Sequence, residues 1–200
     1  MPSLFNLQVR QKEHDERFHR DIYFLSQQER FKHVAYHYGK YSGRLARASI
    51  GQTKSGRLAV QELERTLIDS AIMTLNAAEI FNLDLEKILR SKYSLTDEKR
   101  TVSQLAKAVS RKVAKDYQWL NAPADPDFLN GVLFDVTEKA GIVHKACDSL
   151  DHMEGISRDT VTNAIVELLV IYLIAGDALK IDYGKTIPAR WKEIETTKVL

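Results

Sequence analysis

Residues 62 to 87 read Glu62-Leu-Glu-Arg-Thr-Leu-Ile-Asp-Ser-Ala-Ile-Met-Thr-Leu-Asn-Ala-Ala-Glu-Ile-Phe-Asn-Leu-Asp-Leu-Glu-Lys87, and this stretch decides the fold class. Leu63, Leu67, Ile68, Ala71, Ile72, Leu75, Ala78 and Ile80 recur at the spacing that stacks side chains on one side of an α-helix. Their stripe is broad enough to pack between several other helices. The spacing predicts a helix over about 58–82. Leu83-Asp84-Leu85-Glu86 then reads as a break, with Asp84 capping a short helix toward Ser91.

Working outward, Ser26-Gln-Gln-Glu29 has capping-box spacing and predicts a helix through Phe31, Val34, Tyr38, Tyr41 and Leu45, interrupted by the Ser/Gly-rich segment 49–56. Thr101-Val-Ser-Gln104 repeats that signature ahead of Leu105, Val109, Val113 and Leu120. Ala122-Pro-Ala-Asp-Pro-Asp127 reads as a linker. A helix over about 127–148, a loop near 151–156, an apolar helix capped by Ser157 and a last helix opened by Pro188 complete the reading. Only 4 prolines and 9 glycines in 200 residues favour long helices, so the expected fold is all-α.

Composition narrows the partners. A hydrophobic content of 44% supports a sizeable core, and a formal net charge of +2 demands no polyanionic partner. Lys107, Arg111 and Lys115 share one helix face and, with Lys40, Arg44 and Arg47, would serve an anionic surface; the overall balance argues against nucleic acid. Met1 to Arg10 lacks a sustained apolar segment, which points to a cytoplasmic protein without a secretory signal. Ile165 to Leu179 is shorter than the roughly 20 residues of a membrane span and carries Glu167 and Asp177, so a core helix is expected and no membrane. Cys147 is the only cysteine, excluding an intramolecular disulfide and a thiolate metal cluster. His33 and His37 have metal-ligand spacing but no third ligand in an H-E-x-x-H pattern, and packing or surface roles are expected for them.

The two halves also align at a constant shift of 98 positions. Gly43 then falls on Gly141, Ala48 on Ala146, Leu75 on Leu173, Ala77 on Ala175, Asp84 on Asp182 and Lys87 on Lys185. Acidic character carries over from Asp69 to Glu167 and from Glu79 to Asp177. A helix pair with one apolar stripe per helix cannot bury both faces alone, whereas two such pairs make a four-helix bundle. The expected organisation is an N-terminal arm (1–25), a first helical repeat (26–95), a connecting basic helix and linker (96–126) and a second repeat (127–200).

Residues 62–87 resemble the second core helix, and the break after it, of the MazG-like all-α nucleoside triphosphate pyrophosphohydrolases. Ile165 to Lys185, with Arg190-Trp191 beyond, resembles it again, and Lys40-Tyr-Ser-Gly-Arg-Leu-Ala and Glu138-Lys-Ala-Gly-Ile-Val-His resemble the family's first core helix. The resemblance covers about 33–92 and 128–195. It implies a four-helix-bundle-like core built from two MazG-like repeats as an intramolecular pseudo-dimer. It also implies cleavage of a nucleotide between its α and β phosphates, with Mg²⁺ held by an E-x-x-E and an E-x-x-D pair.

The chain departs from that pattern. The E-x-x-E equivalents fall near Lys40 and Arg44 in the first copy and on Glu138 and Ile142 in the second; the E-x-x-D equivalents fall on Thr66 and Asp69, then on Ala164 and Glu167. The resemblance therefore leaves Asp69, Glu138 and Glu167 as metal ligands, with Glu138 and Glu167 sharing a weak Mg²⁺ site. Lys40 and Arg44 would replace a metal by fixed positive charge and bind phosphate. A nucleotide is the expected ligand and a homodimer a further expected partner. The sequence leaves open whether the chain hydrolyses nucleotides with Mg²⁺ or is a non-catalytic nucleotide-sensing or protein-interaction module, and it names no catalytic residue.

Overall fold

A computed structural model describes residues 1–55, 60–96, 100–121, 126–155 and 157–197. It is all-helical, with 83% helix and no strand among the described residues. In chain order the helices are α1 (Leu4–Phe18), α2 (Arg20–Tyr23), α3 (Gln27–Ser55), α4 (Val60–Ile80), α5 (Leu85–Lys92), α6 (Val102–Val113), α7 (Pro126–Asp151), α8 (Arg158–Ala178) and α9 (Tyr183–Thr197), with a 3-10 turn at Gln118–Asn121 before α7.

Caps fix most helix starts. Ser26 and Glu29 bond reciprocally ahead of α3, and Thr101 and Gln104 form the expected capping box of α6. Asp84 and Ser157 accept from backbone N–H groups at the starts of α5 and α8.

Three boundaries differ from the sequence reading. Helix α3 continues to Ser55, because Ala48 and Gln52 are buried along it and carry the helix through a segment whose composition alone signals a break. Helix α6 stops at Val113, and Leu120 lies in the 3-10 turn. Helix α9 begins at Tyr183, leaving Pro188 inside it, because the Asp182 carbonyl accepts from Lys185 and Thr186 N–H and starts the first turn earlier. The linker expected at 122–127 lies mostly outside the described residues, as does Ile156 of the expected 151–156 loop.

The core is a four-helix bundle in which α3 packs on α4 and α7, and α8 packs on α4 and α7. Buried residues follow one another almost without break along α8 from Ile165 to Gly176. This helix is long and apolar enough to cross a membrane by length and composition alone, and 72% of its apolar window is buried inside the protein. Burial against α4, α6 and α7 accounts for its composition. Helix α1 lies on α4 and α5, and α6 on α8 and α9. The segment expected as an arm is thus helical and contributes Leu4 and Leu7 to the core. Lys107, Arg111 and Lys115 face solvent, and Cys147 is a packed residue whose thiol burial pushes up to about 11.

Element positions correspond at the same 98-residue spacing. Helices α4 and α8 start and stop 98 residues apart, as do α2 and the 3-10 turn; α1 and α6 start 98 apart, as do α5 and α9. The caps Ser3 and Thr101 are 98 apart too. Helices α4 and α8 end in the same way, with Asn82 at φ 52° and Lys180 at φ 61°. There Leu83 N–H bonds the Ala78 carbonyl and Ile181 N–H bonds that of Gly176, both at 2.8 Å.

Corresponding positions are repacked rather than copied. Ala78 and Leu85 of the first half are matched by Gly176 and Tyr183, whose hydroxyl donates to the Tyr172 carbonyl at 2.6 Å. A Cβ at Gly176 would stand 2.3 Å from the Tyr183 ring. Gly176→Ala is therefore expected to destabilise the protein by about 1–3 kcal/mol through overpacking, measured by urea unfolding.

Candidate functional site

Helices α1, α2, α3, α4 and α9 enclose a cavity of about 350 Å³. The α3 stripe turns His33, His37, Lys40, Tyr41 and Arg44 toward it, spaced by three or four residues. Helix α4 contributes Asp69, Met73 and Asn76; α9 contributes Arg190; α1 and its C-terminal end contribute Gln11, His14, Asp15 and His19. The structure thus brings together three of the residues read from sequence, Lys40, Arg44 and Asp69, and adds Arg190.

Asp69, 7% exposed, anchors the basic wall. Its Oδ2 accepts from Arg44 Nη1 at 2.9 Å and its Oδ1 from Arg190 Nε at 2.7 Å. Two charge-assisted bonds hold both guanidinium groups in place. Lys40 reaches no carboxylate within ion-pair distance among the described residues, and its Nζ lies 5.1 Å from the Tyr41 ring centroid. Partial burial, and then the Arg44 cation, push its pKa down. Lys40 is solvent-exposed and carries its charge at the cavity mouth, where Asp69 is the carboxylate that attracts it.

Histidines, discounted in the sequence, line this cavity. The His33 and His37 rings are 4.5 Å apart, and His37 Nδ1 lies 3.0 Å from the Tyr41 hydroxyl. Burial, followed by Lys40 and His33, pushes His37 down to about 3, so its imidazole stays neutral near pH 7.

Glu138 and Glu167 meet elsewhere, on the second half. Lys139 Nζ lies 3.1 Å from each, and Lys92 Nζ is 3.6 Å from Glu167. Glu138 is 64% exposed. An ammonium group thus stands between the two carboxylates, where a divalent ion would need their oxygens free. These residues do not fit Mg²⁺, and Asp69, bonded to Arg44 and Arg190, does not join them.

The positions shifted by 98 residues are filled differently. Lys92 reaches Glu167 as Arg190 reaches Asp69, each pair shifted by 98 residues. The positions matching His19 and Asp21 hold Tyr117 and Trp119. The Trp119 ring packs on Tyr117 and Phe128, at 5.5 and 5.3 Å between centroids, and Nε1 donates to Asp135 at 2.7 Å. Gly131, at the place of His33, leaves room for it: a Cβ there would lie 2.3 Å from the Trp119 ring. The cavity beside α3 and α4 is open and polar, lined by Lys40, Arg44 and Arg190 and by Asp15, Asp21 and Asp69; at the positions shifted by 98 residues the Trp119 ring fills the space.

Two outcomes are expected. Between pH 6.5 and about 3 the unfolded chain accepts a proton on His37 that the folded chain refuses. Stability should therefore fall as pH drops through that window, and His37→Gln should flatten the fall in urea titrations across pH. Asp69→Asn removes the carboxylate that holds Arg44 and Arg190, so it should cost about 1–3 kcal/mol in unfolding free energy, measured by urea unfolding. Comparisons of the chain with protein-family models, curated proteins and solved structures find no match.

Proposed function

We propose that this chain is a non-catalytic nucleotide-binding protein of MazG-like descent, in which one of two equivalent sites is kept and the other is plugged. The observation that carries this reading is the convergence of Lys40, Arg44 and Arg190 on one cavity, with Lys40 lacking a carboxylate partner among the described residues. Asp69 holds Arg44 Nη1 and Arg190 Nε, and Arg190 Nη1 also donates to Glu193 at 3.0 Å; the guanidinium donors left over suit phosphate oxygens. The cavity volume of about 350 Å³ falls within the range of small-ligand sites.

The pseudo-dimer is part of the proposal. Support comes from helix starts, caps, left-handed termini and the Arg190–Asp69 and Lys92–Glu167 pairs recurring after 98 residues. In this reading α1 and α6 belong to the repeated unit as well, so the unit covers nearly the whole chain. Lys139 between Glu138 and Glu167 favours binding over Mg²⁺-assisted hydrolysis.

The test is calorimetric titration with nucleoside mono-, di- and triphosphates. Saturable binding weakened at least tenfold, about 1.4 kcal/mol, by Lys40→Ala or Arg44→Ala is expected. Undetectable binding at millimolar ligand would overturn the reading. Release of pyrophosphate with Mg²⁺, abolished by Glu138→Gln, would instead assign catalysis.

A further inference from the structure

Near the end of α1, His14, Asp15 and His19 offer ligand atoms that all lie within 4.8 Å of one another. His14 and Asp15 are buried, at 6% and 5% exposure. Both ring nitrogens of His14 are buried without a hydrogen-bond partner. His14 Nδ1 stands 3.9 Å from Asp15 Oδ1, too far for a hydrogen bond. A buried imidazole with neither nitrogen satisfied is an unfavourable arrangement that a bound ion would relieve.

The surroundings match what a metal-ligating set needs. Asp15 Oδ2 accepts from Asn76 Nδ2 at 2.6 Å, leaving Oδ1 on the His14 side. His14 Nε2 faces Glu195 Oε1 at 3.7 Å, so with Nδ1 on an ion a small side-chain shift brings the other nitrogen within reach of a carboxylate acceptor. Donors at about 2.0–2.2 Å from a tetrahedral ion sit about 3.3–3.6 Å apart, so modest side-chain closure completes the geometry. Two imidazoles and one carboxylate suit borderline divalent ions of the late first row rather than the hard oxygen-seeking cations.

The geometry points to a divalent transition-metal site, of the kind that takes Zn²⁺ or Co²⁺, formed by His14, Asp15 and His19. The positions matching these residues in the second half are Lys112, Val113 and Tyr117, so the site belongs to the first half alone. It does not rest on nucleotide binding, since the metal alone occupies it.

Trp191 reports on it, its ring lying 5.9 Å from that of His14. In full-length Trp119→Phe protein, titration with Co²⁺ alone is expected to quench Trp191 fluorescence with a one-to-one endpoint and to be reversed by Zn²⁺. Asp15→Asn and His19→Ala should abolish this, the His33→Ala/His37→Ala double variant should retain it, and Asn76→Ala should weaken it about 10- to 100-fold. Absence of saturable binding, or binding lost only with His33 and His37, overturns the proposal. If circular dichroism shows that the α1 variants do not fold, X-ray absorption of the zinc-loaded wild-type chain decides: two imidazoles and a carboxylate support the site, and another ligand set overturns it.

Discussion

The burial of α8 is the constraint on which the rest of the molecule depends. A helix apolar around nearly its whole circumference must be enclosed, and α4, α6 and α7 enclose it. Each fully buried Leu, Ile or Val there contributes about 1.5–3 kcal/mol relative to exposure, so the bundle cannot open along α8 without losing most of its stability. Helix α4 holds the matching place in the first half but is more polar. Thr66, Ser70 and Thr74 are buried on it and satisfy their hydroxyls on carbonyls one turn back. On another side of α4, Asp69 and Asn76 line the polar cavity, while at the positions shifted by 98 residues aromatic rings fill the space.

The surroundings of Asp69 and Glu167 differ accordingly. Around Asp69, buried charge is matched by two arginines, one from each half, and the cavity stays open. Around Glu167 the frame persists, but Lys139, Lys92 and Trp119 fill the space with ion pairs and packing. An ion pair that crosses from one half to the other at both places ties the position of each cavity wall to the relative seating of the halves.

The all-helical class was legible because apolar spacing in α3, α4 and α6 follows the helical period and because proline and glycine are sparse. Capping at Ser26, Asp84, Thr101 and Ser157 was legible for the same local reason. Helix α1 was not, because its inward positions include Gln11, His14 and Asp15, which apolar periodicity scores as surface. Its signal was Ser3, standing 98 residues before the Thr101 cap. The Asp84–Asp182 correspondence likewise marked the true start of α9, which the proline rule displaced. Lys40, Arg44 and Asp69 were singled out through the family resemblance, with Asp69 as a metal ligand rather than the partner of Arg44; its bond to Arg190 was not legible, since 121 residues separate the two. The pairing of Glu138 and Glu167 with Lys139 was hidden because spacing places carboxylates on a face without saying what cation stands there.

Trp191 Nε1 donates to Gln11 Oε1, a bond spanning 180 residues. Together with Arg190 on Asp69, it makes the cavity wall a product of the most remote contacts in the sequence. Closing such loops costs entropy before any contact is gained, so these contacts belong to the late, slow part of folding. During synthesis the four bundle helices α3, α4, α7 and α8 are all made before α9. The cavity acquires its last wall only once α9 has been made and has packed against α1 and α4.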